Sequence, residues 1–399
     1  MAIEITELEK VENSGLSVNG NDELLDDDGK PRRTGTVWTA TAHIITTVIG
    51  AGVLSLAWSM AQLGWIIGVS SIFVIASVTL YTSNLLADCY RSPHPVTGRR
   101  NHTYMETVKT HLASITSFGY AFIGVGLSVA TIIQGSETGR ERSTFLFGGS
   151  KEQHIADKVW NMLVALGNIA LASNYAVIAI DVQDSLKSSP PENKVMKTAN
   201  RIGMLTMVII FLSSACSGYA AFGFHTPGSI LMSSGFKDPF WLVDLANAFI
   251  VVHLVGAYQI ITQPIFGVVE TWAKQRWPES KFVRKEYTIN IGKMKFSLNL
   301  CRVVWRTMFV MVATILAMAM PFFNEMLAFL GATAFWPLVI YFPVEMFIAK
   351  ERMKKRTIKW FGLQTMNVSF LILSMAIAFA AIRGLGEALL KYKPFMYKM

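Results

Sequence analysis

Apolar runs of about 20 residues or more recur along the whole chain, and each can cross a hydrocarbon core of about 30 Å. Nine are read, at 36–58, 63–87, 114–133, 160–183, 200–222, 240–270, 301–320, 324–348 and 359–383. In lipid, every backbone N–H and C=O must pair inside its own segment or around a closed barrel. Barrel strands would alternate apolar and polar residues over segments of about ten. These runs do not alternate, so the expected fold is all-α, a multi-pass membrane bundle of about nine helices. Composition agrees, with 52% hydrophobic and only 16% charged residues. Soluble domains carry about 25% charge.

The net charge of +9 is unevenly spread. Residues 1–35 hold nine acidic and four basic side chains, so the remainder is strongly basic. That excess sits in short loops between spans, which fits a positive-inside bias and not nucleic-acid binding. With the N-terminus in the cytosol, loops 88–113, 184–201, 271–302 and 349–359 hold 22 Lys and Arg, against 8 on the other side. The expected topology is therefore N-terminus cytosolic, C-terminus extracellular. Residues 1–34 read as a disordered acidic cytosolic tail, and 35–399 as one transmembrane domain. The sequon at Asn101 then falls in a cytosolic loop, and that at Asn367 inside a span.

No GxxxxGK[ST] loop points to ATP, and no HExxH or CxxC pair points to a zinc site. Cys89, Cys216 and Cys301 are scattered without metal spacing. No catalytic constellation is visible, so an enzyme is not expected, nor any cofactor.

Ionisable residues at membrane depth cost about 2.5–3.5 kcal/mol each on insertion and mark functional candidates. His43 lies in the first span, seven residues before Gly50 and on about the same helix face. Its imidazole titrates near physiological pH and suits a proton relay, or a neutral hydrogen bond to a neighbouring helix. Asn168, Ser173 and Asn174 form a polar patch in the fourth span that suits helix packing or a substrate path equally. His253 is mid-span, with a structural hydrogen bond as the favoured role. Glu345 near Lys350 suits ion pairing at a span end. In "TTVIGAGVLSLAW", Gly50 and Gly52 lack the four-residue spacing of a packing motif. They read instead as a hinge whose freed backbone groups bind a ligand. Trp336-Pro337 and Phe342-Pro343 are expected kinks.

The run "TATAHIITTVIGAGVLSLAWSMAQLGW" resembles the start of the plant amino acid permeases, of the amino acid/auxin permease family. So do "NHTYMETV", "IDVQDSLKSSPPENKVMKTAN", "GYAAFG", "DLANAFIVVHLVGAYQIITQPIF", "WRTMFV" and "GATAFWPLVIYFPVEMFIA". The resemblance implies a proton-coupled amino acid symporter, with the proton as coupling ion, in a membrane such as the plasma membrane. It also implies the inverted-repeat, leucine-transporter-like fold, in which the first and sixth helices are broken at mid-membrane. The first break maps to Ile49, Gly50, Ala51, Gly52 and Val53, and the second to about 170–175, with Ser173 and Asn174. A half-helix N-terminus carries about +0.5 charge and bare N–H donors, suited to an α-carboxylate. His43 and Asn168 become the proton-coupling candidates. Asparagine cannot cycle a proton, which counts against Asn168.

The resemblance is interrupted near 113–114: the segment before matches the first cytosolic loop, and the segment after matches most of the fifth helix. The third and fourth helices are expected to be missing, leaving the first repeat incomplete. An even loss preserves every downstream orientation. Two further readings follow: a non-transporting chain that associates with full-length permeases and modulates them, and a carrier of auxin or another small organic acid.

Overall fold

The computed structural model describes residues 26, 32–92, 99–100, 126–129, 144–148, 153–232, 240–291, 294–319 and 322–391. Most of the tail, the 113–114 junction and all of the span expected at 114–133 except the helical residues 126–129 lie outside the described residues. Helix α1 (Val37–Val48) starts at a capping box, in which Thr36 and Thr39 exchange side-chain bonds to each other's N–H at 3.3 and 2.8 Å. A 3₁₀ turn (Ala51–Ser55) follows, then α2 (Leu56–Cys89). Gly64, at φ 76° and ψ 176°, divides α2 into residues 56–63 and 65–89. The second piece is about 37 Å long and spans a bilayer alone. Two-residue strands β1 (Arg91–Ser92) and β2 (Arg99–Arg100) pair just beyond it.

After the strands come α3 (Ile155–Ala172), α4 (Ala176–Asp184) and α5 (Glu192–Phe222), which ends at Gly223 with φ 60°. Next are α6 (Phe240–Arg276), the short α7 (Lys281–Arg284) and an antiparallel hairpin. Its strands, β3 (Glu286–Ile291) and β4 (Met294–Asn299), pair from Glu286↔Asn299 to Ile291↔Met294. The chain ends with α8 (Leu300–Ala319), α9 (Phe323–Ala334), a π-helical turn (Phe335–Tyr341), α10 (Phe342–Lys350) and α11 (Ile358–Lys391). Pro337 and Pro343 lack the N–H a regular ladder needs, which fits the π turn there.

Among the described residues, seven helices are long and apolar enough to cross a membrane. The expected span 36–58 is two pieces, α1 and the 3₁₀ turn with the start of α2, and the span 160–183 is α3 plus α4. The fold is an all-α, multi-pass membrane bundle.

One core cluster joins α1 to α5 with the π turn and α10, and a smaller second one joins α3 to α9 and α11. Small residues let backbones meet. A Cβ on Gly203 would stand 2.8 Å from Ile44 of α1, and one on Gly331 of α9 only 2.1 Å from the carbonyl oxygen of Gly167. Helices α6 and α8 differ: none of α8 is buried, and only a few α6 positions, among them Ala246, His253 and Phe266, are covered.

Three of the four loops read as facing the cytosol meet at one end. Arg91 grips Glu192 through two bonds of 3.0 and 2.5 Å, both side chains being buried. Asp88 takes Lys197 at 2.6 Å and Asn193 at 3.1 Å. Lys350 reaches the carbonyls of Asp88 and Arg91, not Glu345, which instead accepts from Gln364 at 2.6 Å. Arg33 pairs with Asp26 and Asp184 at 3.2 and 3.1 Å, and Tyr90 also bonds Asp184. At Gly64 the chain segment 144–148 crosses α2: Trp65 and Ile66 donate to Phe145 and Leu146 at 3.2 and 3.0 Å, and Gly148 donates to Leu63 at 2.9 Å.

Candidate functional site

Two helix interruptions face each other inside the bundle. The first follows a β-branched run, Ile44 to Ile49, in which Thr47 already donates back to the carbonyl of His43 at 2.9 Å. Such back-bonding bends helices. The regular ladder ends with the Ile49 N–H on Ile45 at 2.8 Å. Gly50 is extended, at φ −119° and ψ −162°, and its carbonyl takes Val53 at 3.1 Å to start the 3₁₀ turn. The N–H groups of Ala51 and Gly52 are the first donors of that turn and have no acceptor within it.

The second interruption is Ser173 to Tyr175. The Ser173 N–H and hydroxyl both fall on the Ile169 carbonyl, at 3.1 and 2.9 Å, which closes α3. Asn174 accepts from the Ala176 N–H at 3.1 Å, an Asx turn that opens α4. The N-terminus of α4 therefore stands at the break, with its positive dipole end exposed to it.

Glycine is required where the two interruptions touch. A Cβ on Gly52 would lie 2.7 Å from the Ala172 Cβ and 2.9 Å from its Cα. One turn before Ala172 on the same face sits Asn168, fully buried. Its amide donates to Asn324 of α9 at 3.4 Å, and its Oδ1 has no protein partner among the described residues. Sequence reasoning placed Asn168, Ser173 and Asn174 in one patch. The structure separates their tasks: Ser173 terminates α3, Asn174 opens α4, and Asn168 joins α3 to α9.

His43 lies half-buried beside the covered face of α1, which consists of Ala40, Thr41, Ile44, Ile45 and Val48. His253 of α6 reaches the first break: its Nε2 would be 3.9 Å from a Cβ on Gly50. It is buried, at 4% exposure. The sequence signal for it was an ionisable group in an otherwise apolar run. What the sequence lacked was the knowledge that α6 passes Gly50.

Residues 33–133 and 111–385 match the family described as transmembrane amino acid transporter protein. The chain belongs to this family. Among its relatives, "Amino acid permease 1" of Arabidopsis thaliana is 40% identical, over 93% of this chain and 93% of its own. "Amino acid permease 8" of the same plant is 39% identical over 93% and 95%. "Lysine histidine transporter-like 1" is more distant, at 23% over 90% of each. The first alignment runs over 454 residues, 55 more than the 399 of this chain. The two family matches overlap at 111–133, so the family pattern breaks in that stretch. These relatives are permeases and transporters, and this family member is a membrane transport protein and not an enzyme.

Proposed function

We propose that this family member carries amino acids across a membrane together with protons. The observation that carries the reading is the crossing of two interrupted helices at Gly52 and Ala172, each presenting N–H donors where its next turn begins. Ile49, Gly50, Ala51, Gly52 and Val53 supply one side of a carboxylate cradle; Ser173 and Asn174 shape the other. A bare N–H in hydrocarbon costs several kcal/mol, so such donors are stable only when protein, water or a ligand meets them.

His43 of α1 and His253 of α6 are titratable groups on helices that form or border the cradle, and His253 is the one placed against Gly50. His253 is better placed, and it carries the proton in this reading. Asn168 holds α3 to α9 and stays neutral. Neither substrate binding nor coupling calls on a cofactor. The Lys and Arg bias, together with the meeting of loops 88–113, 184–201 and 349–359 at one end, supports a cytosolic N-terminus and an extracellular C-terminus, and the family resemblance points to the plasma membrane.

Uptake of labelled amino acids by a transport-deficient cell tests this. Uptake that rises with outside acidity and falls with a protonophore is expected. No uptake by a correctly inserted chain overturns it. Competition by auxin in place of amino acids would select the organic-acid carrier instead.

The uncovered α6 and α8, and the extra alignment columns, favour a second reading. In it the chain lacks the third and fourth helices of its relatives and associates with full-length permeases. Co-purification with a co-expressed permease, and a change in that permease's uptake, are expected. Unchanged uptake without co-purification rules it out.

A further inference from the structure

Several basic side chains beside the spans are taken by the protein itself. Arg33, Arg91 and Lys197 pair with carboxylates, Lys350 donates to carbonyls, and Arg302 and Arg306 share Glu270. The link between α6 and α8 is different. Lys274, Arg276, Lys281, Arg284 and Lys285 are all exposed, and none makes an ion pair among the described residues. Residues 272–287 set these five cations against Glu279 and Glu286, and 288–299 add two lysines and no acid.

Aromatic side chains are interleaved with the cations and are exposed too: Trp272, Trp277, Phe282 and Tyr287. Arg276 lies over the Trp277 ring at 6.0 Å and Lys285 over the Tyr287 ring at 4.7 Å, while Trp272 meets Trp277 edge to face at 5.2 Å. Tryptophan and tyrosine collect at the membrane–water boundary, where one end of the ring is in apolar surroundings and the other is wet.

The link is held in a fixed shape. Buried Asn299 donates to the carbonyls of Val283 and Lys285 at 2.8 and 3.3 Å, and it accepts from the Arg302 N–H at 3.1 Å. One side chain thus ties α7 to the first turn of α8, and Val283 of α7 is buried as well. Helix α8 has 20 residues. At about 30 Å it matches the hydrocarbon core, so its first turn stands at the membrane surface. The cations of α7 are therefore set at the depth of lipid headgroups.

We propose that the α6–α8 link is a docking surface for the anionic headgroups of phospholipids. Its rings lie at the boundary, and its five cations meet the headgroup oxygens. With the topology proposed above, the leaflet is the cytosolic one, whose surface is negative. Each Lys or Arg near such a surface strengthens the attraction about fivefold. The turn between α10 and α11 supplies the comparison: 351–357 holds Arg352, Lys354, Lys355 and Arg356 but no aromatic residue.

The test takes the purified, delipidated full chain and counts bound lipid by native mass spectrometry. The probes are dioctanoyl phosphatidylserine and dioctanoyl phosphatidylcholine. Phosphatidylserine is expected to bind at least about tenfold more tightly, and to lose affinity as ammonium acetate is raised. Lys281→Gln/Arg284→Gln/Lys285→Gln is expected to remove that preference. Lys354→Gln/Lys355→Gln/Arg356→Gln is expected to leave most of it. All six side chains are exposed, so both variants are expected to stay monodisperse. Equal affinity for the two lipids, or a preference that survives the first variant, overturns the proposal. Equal losses in the two variants overturn it as well, since charge alone would then recruit the lipid. None of these readouts depends on transport or on which way the chain faces, so the symport and topology readings stand or fall separately.

Discussion

Helices α3 and α8 are both apolar enough to cross a membrane, yet the protein treats them differently. About two-fifths of the apolar stretch of α3 is buried, and none of that of α8. Helix α3 lies against α9 and α11 through Val164 and Gly167, so close at Gly167 that backbone meets backbone. Helix α8 touches α6 through larger groups: Phe309 on Phe266 at 5.3 Å, and Arg306 over the same ring. Apolar composition therefore does not set burial here. Small residues at the contact do, because lipid is as apolar as leucine and only close packing favours helix over lipid.

The ion pairs sharpen this comparison most. Arg91 and Glu192 are sealed at the charged end of the bundle, at 5% and 1% side-chain exposure. Arg91→Met removes the two-bonded guanidinium partner of the buried Glu192 carboxylate and is expected to cost about 3–5 kcal/mol. A sharp fall in the heating temperature at which the detergent-solubilised protein stays monodisperse would show it, with the Arg91→Met/Glu192→Leu double variant recovering most of the loss. At the α6–α8 contact, Glu270 is shared by Arg302 and Arg306 at 3.0 and 2.8 Å, and both arginines are about one-third exposed. Arg302→Met there is expected to cost under about 1 kcal/mol, since one partner remains and solvent screens the pair. Equal losses at the two sites would erase the distinction between the regions.

The glycines come next in size. Gly331→Ala puts a methyl 2.1 Å from the Gly167 carbonyl oxygen, and backbone cannot swing aside as a side chain can. Overpacking of this kind costs about 1–3 kcal/mol. Gly52→Ala meets Ala172 in the same way and is expected to lower uptake more than it lowers thermal stability, since it pries apart the two interruptions. Uptake normalised to inserted protein separates the two effects. Unimpaired uptake by Gly52→Ala would mean that the crossing is not the transport site.

Much of this could be read from the chain before any coordinates. The spans follow from length and hydropathy, and the interruption at Gly50 from a glycine pair without packing periodicity. The partners across the bundle could not be read. Asn168 meets Asn324 across 156 positions, and nothing local in "ALGNIALASN" points to "PFFNEM". His253 meets Gly50 because of where α6 passes, which hydropathy does not encode. The α3–α8 contrast was equally hidden, since one long apolar run reads like another. A helix's covered face depends on which neighbours carry the glycines that admit it.

The smallest effect is the one most specific to the loosely covered region. A Cβ on Gly256 or Gly267 of α6 meets nothing within 4 Å. In an exposed helix interior, alanine is favoured over glycine by about 1 kcal/mol. Gly256→Ala and Gly267→Ala are therefore expected to raise thermal stability slightly, or to leave it unchanged, in the chain expressed alone. The outcome changes if a full-length permease docks there. A close helix–helix contact needs the glycine's missing Cβ, so the same two substitutions would weaken co-purification while sparing the isolated chain. Co-purification that withstands both substitutions would place any such partner on another face, and would leave the Gly256 and Gly267 positions of α6 to lipid.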